Sequence, residues 1–309
     1  MTGPVFHIGY VKTATTFLQR QVFGRADLGM ALGGGPRSRG HVVSGLVLAD
    51  DYIFDPAALA ARFAALEAPQ RAEGLLPVWS EEVLLGDPLA GRYDGPANLR
   101  RLHAAFPQAR ILITIREQRA MALSMLREYA KQGGTASPRD FIGTGQEDPA
   151  FSPLLRPDFL RFERAVGFCR EAFGPDRVLV LPQEMLRADP RDYFDRLGRF
   201  LDLPLGPPAS GRPGGDNVGR GLAAAAFNRR LNRLVRRSPL HRDPGIAWRT
   251  KDRVVRLFDR AMPRMLDARI EARLKAMIAA RYRTEFSAGN RALAGMTGLD
   301  LHGYGYDLG

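Results

Sequence analysis

The apolar positions of this chain fall into short, dense runs separated by longer stretches with helical spacing. Residues 5–9, 75–80, 109–115 and 177–181 are compact runs dominated by Val, Ile and Leu, the pattern of strands buried on both faces. Pro77 sits inside the second run and weakens it as a central strand. Apolar residues recur at helical intervals over 16–23, 58–68, 98–105, 119–131, 159–173 and 191–201. Pro107 closes one of these helices and Gly133-Gly134 another. Strands alternating with helices predict an α/β protein with a mostly parallel central sheet flanked by helices. A Pro- and Gly-rich stretch at 204–221 must be loop. Beyond it the spacing predicts helices over 222–237, 250–261 and 263–280, followed by a tail from 290 that contains several glycines. The expected organisation is one domain over 1–309, with an α/β core at 1–204 and a helical extension at 222–285.

Length and composition agree with a globular chain of 309 residues, 45% of them hydrophobic. No apolar run approaches the roughly 20 residues that span a bilayer. Met1-Thr2-Gly3-Pro4 has no basic leader and no long apolar stretch behind it, so a cytoplasmic protein is expected. Cys169 is the single cysteine and lies among apolar neighbours, which excludes an internal disulfide and a cysteine metal cluster and predicts an inert buried thiol. The net charge is +12, carried almost wholly by arginine, with lysine only at 12, 131, 251 and 275. Such a surface attracts anions: a polyanionic cofactor, an acidic glycan, a membrane surface or a nucleic acid. Against the last, the charges are dispersed, aromatics are 9% without a stacking pattern, and no recognition motif appears.

One lysine lies in the strongest motif. Gly9-Tyr10-Val11-Lys12-Thr13-Ala14-Thr15-Thr16 follows a strand and opens a helix. A helix N-terminus presents unpaired N–H groups and the positive end of the dipole. Lys12 adds a full charge, and Thr13, Thr15 and Thr16 add hydroxyl donors, so the stretch suits a phosphate. The spacing is not that of the Walker A loop, because Lys12 comes three residues after Gly9 with no second glycine before it. A kinase-like nucleotide-binding enzyme is therefore the weaker alternative, and a basic nucleic-acid-binding protein the other.

The run from His7 to Gln19 resembles the 5'-phosphosulfate loop of sulfotransferases that use 3'-phosphoadenosine-5'-phosphosulfate (PAPS), and more closely their bacterial branch. The departure is Ala14, where many members carry glycine. The resemblance implies a P-loop-like sulfotransferase fold, PAPS as donor, no metal, and a donor site of Lys12, Thr13, Ala14, Thr15 and Thr16. It further implies that Arg116, at the end of the central strand, and Ser124, eight residues on, clamp the 3'-phosphate. An arginine fork at a strand's carboxyl end suits that task independently. The stretch 178–190, with Glu184 in a structural role, and the tail with Tyr304 and Tyr306, are similar to the same family.

Sulfuryl transfer needs charge neutralised at the leaving oxygen and a base for the acceptor hydroxyl. Lys12 serves the first. For the second the chain offers Glu81 and Glu82, which strand alternation would send to opposite faces. Family likeness at Ser80-Glu81-Glu82 favours Glu82, with His41 and His103 in reserve. The acceptor stays open among carbohydrate, lipid head group and small alcohol. Residues 227–237 read as an amphipathic basic helix, with Phe227, Leu231, Leu234 and Val235 on one face. That helix suits a surface packed on the domain, an acidic acceptor or a peripheral contact at the inner membrane face. The loop from Arg212, with Asn217, is a candidate cover for the donor.

Overall fold

The computed structural model describes residues 3–208, 221–236 and 245–309; the loop from Arg212 with Asn217, and Arg237, lie outside them. Along the chain run β1 (Val5–His7), α1 (Thr15–Leu18), β2 (Met30–Leu32), α2 (Ser38–Val42), α3 (Pro56–Ala72), β3 (Leu76–Ser80), α4 (Gly95–Ala105), β4 (Arg110–Ile115), α5 (Gln118–Lys131) and α6 (Pro138–Ile142). They continue with α7 (Phe162–Phe173), β5 (Val178–Pro182), α8 (Gln183–Ala188), α9 (Pro190–Leu201), α10 (Leu222–Leu231), α11 (Gly245–Ala261), α12 (Arg264–Tyr282) and α13 (Ser287–Thr297).

Among the described residues the strands form one sheet in the order β2-β3-β1-β4-β5, and every pairing is parallel. The α/β architecture expected from the sequence is thus present. The six residues of β4 are all buried, as a parallel strand covered on both faces requires. Pro77 is accommodated by register. Leu76 donates its N–H to Gly29 and Val78 accepts from Gly33, so both face β2. The missing N–H of Pro77 faces the other way, ahead of the first pair with β1, Val5 with Val78.

The expected 16–23 helix begins as α1 and continues as a π-type turn over Gln19–Phe23. The edge strand β2 was not expected: three residues between Gly29 and Gly33 are too few to show a period. Helix α13 was not expected either; the sequence reading assigned no element to the tail from 290.

The chain divides into two compact units. The first holds Met1–Glu117, Phe159–Asp216 and Phe286–Gly309, and so contains the whole sheet. The second holds Gln118–Asp158 and Asn217–Glu285. This partition differs from a simple split into 1–204 and 222–285, because α5 and α6 go with the later helices.

In the second unit polar side chains close the carboxyl end of α5. Asn228 and Asn232 both donate to the Ala130 carbonyl at 2.8 Å, and Asn232 also donates to Gly134. These bonds satisfy carbonyls that a helix end leaves open. They also explain a correction at 227–237. Helix α10 stops at Leu231, and its inward face is Leu222, Ala223, Ala224 and Asn228, not the expected Phe227, Leu231, Leu234 and Val235 stripe. Leu234 lies beyond the helix and is 81% exposed.

In the first unit, Phe63 of α3 stacks on Trp79 of β3 with ring centres 4.2 Å apart and touches Phe106 at 5.3 Å. Phe63→Ala should destabilise the fold by about 3–5 kcal/mol, read as a lower denaturation midpoint with an unchanged urea slope.

Candidate active site

The strand order fixes where a ligand can sit. From β1 the chain goes to the edge strand β2, steps back to β3 beside β1, then crosses to the other side of β1 for β4 and β5. In open parallel sheets ligands bind at such a reversal, outside the carboxyl ends of the strands. The segments leaving the carboxyl ends here are 8–14 after β1, Glu81-Glu82 after β3, Arg116-Glu117 after β4 and Gln183-Glu184 after β5.

The segment after β1 is tightly held. Ile8 and Tyr10 extend the ladder by donating to Leu112 and Thr114 at 2.9 Å each. At Gly9 a Cβ would stand 2.0 Å from Thr114 Oγ1 and 2.7 Å from His7 Nε2, so no side chain fits. Lys12 and Ala14 then both adopt left-handed backbone, with φ of 68° and 65°. Left-handed residues of this kind turn successive N–H groups into one concavity that suits an anion. Two non-glycine residues there are strained by about 1–2 kcal/mol each. Thr15 begins α1; its hydroxyl is buried and lacks a hydrogen-bond partner. Thr16 is exposed.

Beneath the loop lies a buried chain of hydrogen bonds. Gln19 Nε2 donates to Ser80 Oγ at 3.1 Å. Ser80 Oγ is 2.8 Å from His7 Nδ1, His7 Nε2 is 3.0 Å from Thr114 Oγ1, and Thr114 Oγ1 is 2.7 Å from Thr13 Oγ1. Thr13 donates to the Tyr10 carbonyl at 2.5 Å. One direction serves every link. Thr13 spends its proton on Tyr10, so Thr114 donates to Thr13, His7 donates from Nε2 to Thr114, and Ser80 donates to His7 Nδ1. Burial drives the His7 pKa down to about 3, which keeps the ring neutral as this order demands. The chain ties the loop to the ends of β3 and β4. It also turns the Thr13 hydroxyl inward, leaving the backbone of Thr13 to face the concavity.

The two glutamates after β3 differ sharply. Glu81 is still extended and donates its N–H to the His7 carbonyl of β1 at 3.0 Å, while Glu82 begins the turn that follows. Glu81 caps the turn Glu82–Leu85 by accepting from Val83 at 3.3 Å, and it pairs with Arg39 of α2 at 3.1 Å. Glu82 lies near Lys12 and Thr15. Burial, the largest influence, raises its pKa, while the Thr15 hydroxyl, the Lys12 charge and Arg39 pull it back. The Thr15 contact is too loose to count as a hydrogen bond, consistent with that orphaned hydroxyl.

After β4, half-buried Arg116 donates from Nη1 to the Lys12 carbonyl at 3.3 Å, which joins it to the loop. Glu184 braces this corner: it accepts from the Glu117 N–H at 3.1 Å and from the Tyr306 hydroxyl at 3.2 Å. Burial raises the Glu184 pKa, and Arg116 lies close enough to lower it.

The structure therefore gathers Lys12, Ala14, Thr15, Glu82 and Arg116 in the first unit. Ser124 lies midway along α5, in the second unit, and is half-buried. His103 packs edge-on against Phe173 near the end of α4, which leads into the amino end of β4 and not the carboxyl end. His41 packs edge-on against Trp79. Sequence reading missed Arg39 and Thr114, and gave His7, Gln19, Ser80 and Tyr306 no role beyond their place in the family-like stretches. Part of the signal was present: His7, Ser80 and Thr114 each stand two positions before Gly9, Glu82 and Arg116.

The fold is a parallel α/β unit with a left-handed turn after its central first strand. Residues 92–207 match the model of the sulfotransferase family. The matched segment contains Arg116 and Ser124 but ends short of the loop at 9–16 and of Glu82. No curated protein matches the chain. Among solved structures, the sulfotransferase from Alicyclobacillus acidocaldarius shares 19% identity, covering 81% of this chain and 99% of its own, at a TM-score of 0.47. The sulfotransferase domain from the Synechococcus PCC 7002 olefin synthase shares 17%, covering 85% and 98%, at 0.42. The sulfotransferase domain from the curacin biosynthetic pathway shares 15%, covering 69% and 80%, at 0.42.

Ala14→Gly should relieve one left-handed strain and raise stability by about 1 kcal/mol, seen as a higher thermal midpoint. Thr114→Val should remove the central link of the buried chain and cost about 1–3 kcal/mol. Thr114→Ser should come close to the parent, and an equal loss in both variants would show that packing alone matters there.

Proposed function

We propose that this chain is a PAPS-dependent O-sulfotransferase, acting in the cytoplasm on a hydroxyl-bearing acceptor. The observation that carries the reading is the convergence of four features at adjoining strand ends. They are a left-handed anion loop with an orphaned buried hydroxyl, a lysine, an arginine bonded to that loop, and a carboxyl group whose pKa burial raises. The residues fit the donor: the concavity from Lys12 to Thr15 suits a 5'-phosphate, and Arg116 supplies the fork for a 3'-phosphate. Bound PAPS supplies a sulfuryl group on a phosphate leaving group.

Each residue then has one task. Lys12 neutralises charge that grows on the leaving oxygen, so its contact strengthens in the transition state. Glu82 takes the acceptor proton as the hydroxyl oxygen bonds to sulfur and the bridging bond to the 5'-phosphate breaks. The products are a sulfate ester and the desulfated nucleotide, 3'-phosphoadenosine-5'-phosphate (PAP). Glu81 is already committed to Arg39 and Val83, which favours Glu82 as the base.

Calorimetric titration with PAP in the presence of a chelator tests the donor site. The parent should bind, and Arg116→Ala should bind about 10- to 150-fold more weakly, the loss of a charge-assisted contact worth about 1.5–3 kcal/mol. Equal affinities would place the 3'-phosphate elsewhere.

The pH profile tests the base. Glu82 must be ionised to accept a proton, so transfer should rise with pH through a pKa above the ordinary glutamate value, in the direction burial sets. Glu82→Gln should keep PAP affinity, lower transfer roughly a hundredfold or more and abolish that acidic limb. If Glu81→Gln loses transfer instead, the roles of the two glutamates are reversed.

A further inference from the structure

Helices α11 and α12 of the second unit expose basic side chains and keep their acidic ones half-buried. On α11 the exposed ionic residues are Arg249, Arg253, Arg256 and Arg260. On α12 they are Arg264, Arg269, Arg273 and Lys275. Among the described residues of both helices no exposed position is acidic. The carboxylates are turned to structural work. Asp259 accepts from the Gly221 N–H at 3.0 Å and Asp267 from the Ala223 N–H at 2.8 Å, at the start of α10. Asp252 pairs with Arg256, and Glu271 with Arg127 and Lys275.

Large apolar side chains share this cationic surface. Ile246, Thr250, Arg253 and Leu257 follow one another at intervals of four, three and four, so they line one side of α11, opposite buried Lys251 and Val255. Ile246 is 82% exposed, Leu257 58%, and Met265, at the start of α12, 70%. Beside them lies a cavity of about 1050 Å³ between α11 and the end of α5, where Arg249, Arg253, Arg256 and Lys131 outnumber Glu128 and Asp252 around Trp248.

We infer that the outer face of α11 and the start of α12 docks on a membrane surface that carries anionic headgroups. A polyanion in solution would engage the arginines and leave Ile246, Leu257 and Met265 without a partner. A second copy of this chain would set arginine against arginine. A bilayer interface takes both kinds of residue: apolar tips enter the acyl boundary while guanidinium groups meet phosphates. The cavity gives headgroups a place beside an indole, a ring suited to that boundary. The surface stands on different residues from the 227–237 helix read from the sequence.

Co-sedimentation of the full chain with vesicles tests this. It should bind vesicles of equal parts phosphatidylcholine and phosphatidylglycerol and ignore phosphatidylcholine alone. Changing Ile246, Leu257 and Met265 together to serine removes only exposed groups. This should weaken vesicle binding roughly tenfold or more while leaving the melting temperature and retention on heparin unchanged. Failure to bind the mixed vesicles overturns the inference. So does vesicle binding that the triple variant retains and salt alone abolishes, which would mark a plain polyanion site. A mass that rises with protein concentration, and falls back in the triple variant, would assign the face to a second copy.

Discussion

The close approach of Gly9 to Thr114 is the constraint on which the candidate site depends. It presses the backbone leaving β1 against the end of β4, where any side chain would collide. Because the loop is pinned there, the residues that follow have little room, and Lys12 and Ala14 are driven into left-handed backbone. That geometry creates the concavity. The same pinning brings the Lys12 carbonyl within reach of Arg116, so the placement of both cations depends on one contact. Strain of this kind persists only where the surroundings over-determine it, and the packed strand ends do so.

The parts of the protein visible in the sequence are those written in local pattern. Buried parallel strands such as 110–115 announce themselves as unbroken β-branched runs, and the Gly, Lys and Thr positions at 9–16 were read as a candidate anion loop from the same local pattern. Arg116 was visible because it ends such a run. What stayed hidden depends on distant partners. Met30–Leu32 is too short to show a period, and becomes a strand only because Leu76 and Val78 offer a free edge. Helix α10 stops early because Asn232 finds carbonyls about a hundred positions back, which no window of sequence contains. The contrast between Glu81 and Glu82 was expected from strand alternation. It arises instead from a cap and from Arg39, a residue some forty positions upstream. Ser124 was legible as a partner of Arg116 by family likeness, while the two fall in separate compact units.

The two units divide the electrostatic work. The first concentrates a few ionisable groups inside, where burial shifts them: His7 down, Glu81, Glu82 and Glu184 up. The second keeps its carboxylates for helix ends and ion pairs and leaves arginine outside. A net charge of +12 is therefore no uniform coat. It follows from where acidic residues are used internally as much as from how many basic ones there are.

The hydrogen-bond chain from Gln19 to Tyr10 has a thermodynamic consequence of its own. Each hydroxyl in it gives one proton and receives one, and the imidazole receives at Nδ1 and gives from Nε2. Here the amide of Gln19 and the carbonyl of Tyr10 fix the sense at both ends, so a single arrangement survives and the residual proton entropy is nil. Links in such a series polarise one another and act together. The first link to be cut releases its neighbours to rotate and re-pair, and a second cut finds less left to lose. Coupling between distant members, such as Gln19 and Thr13, should therefore be large although the two side chains are separated by three other residues of the chain.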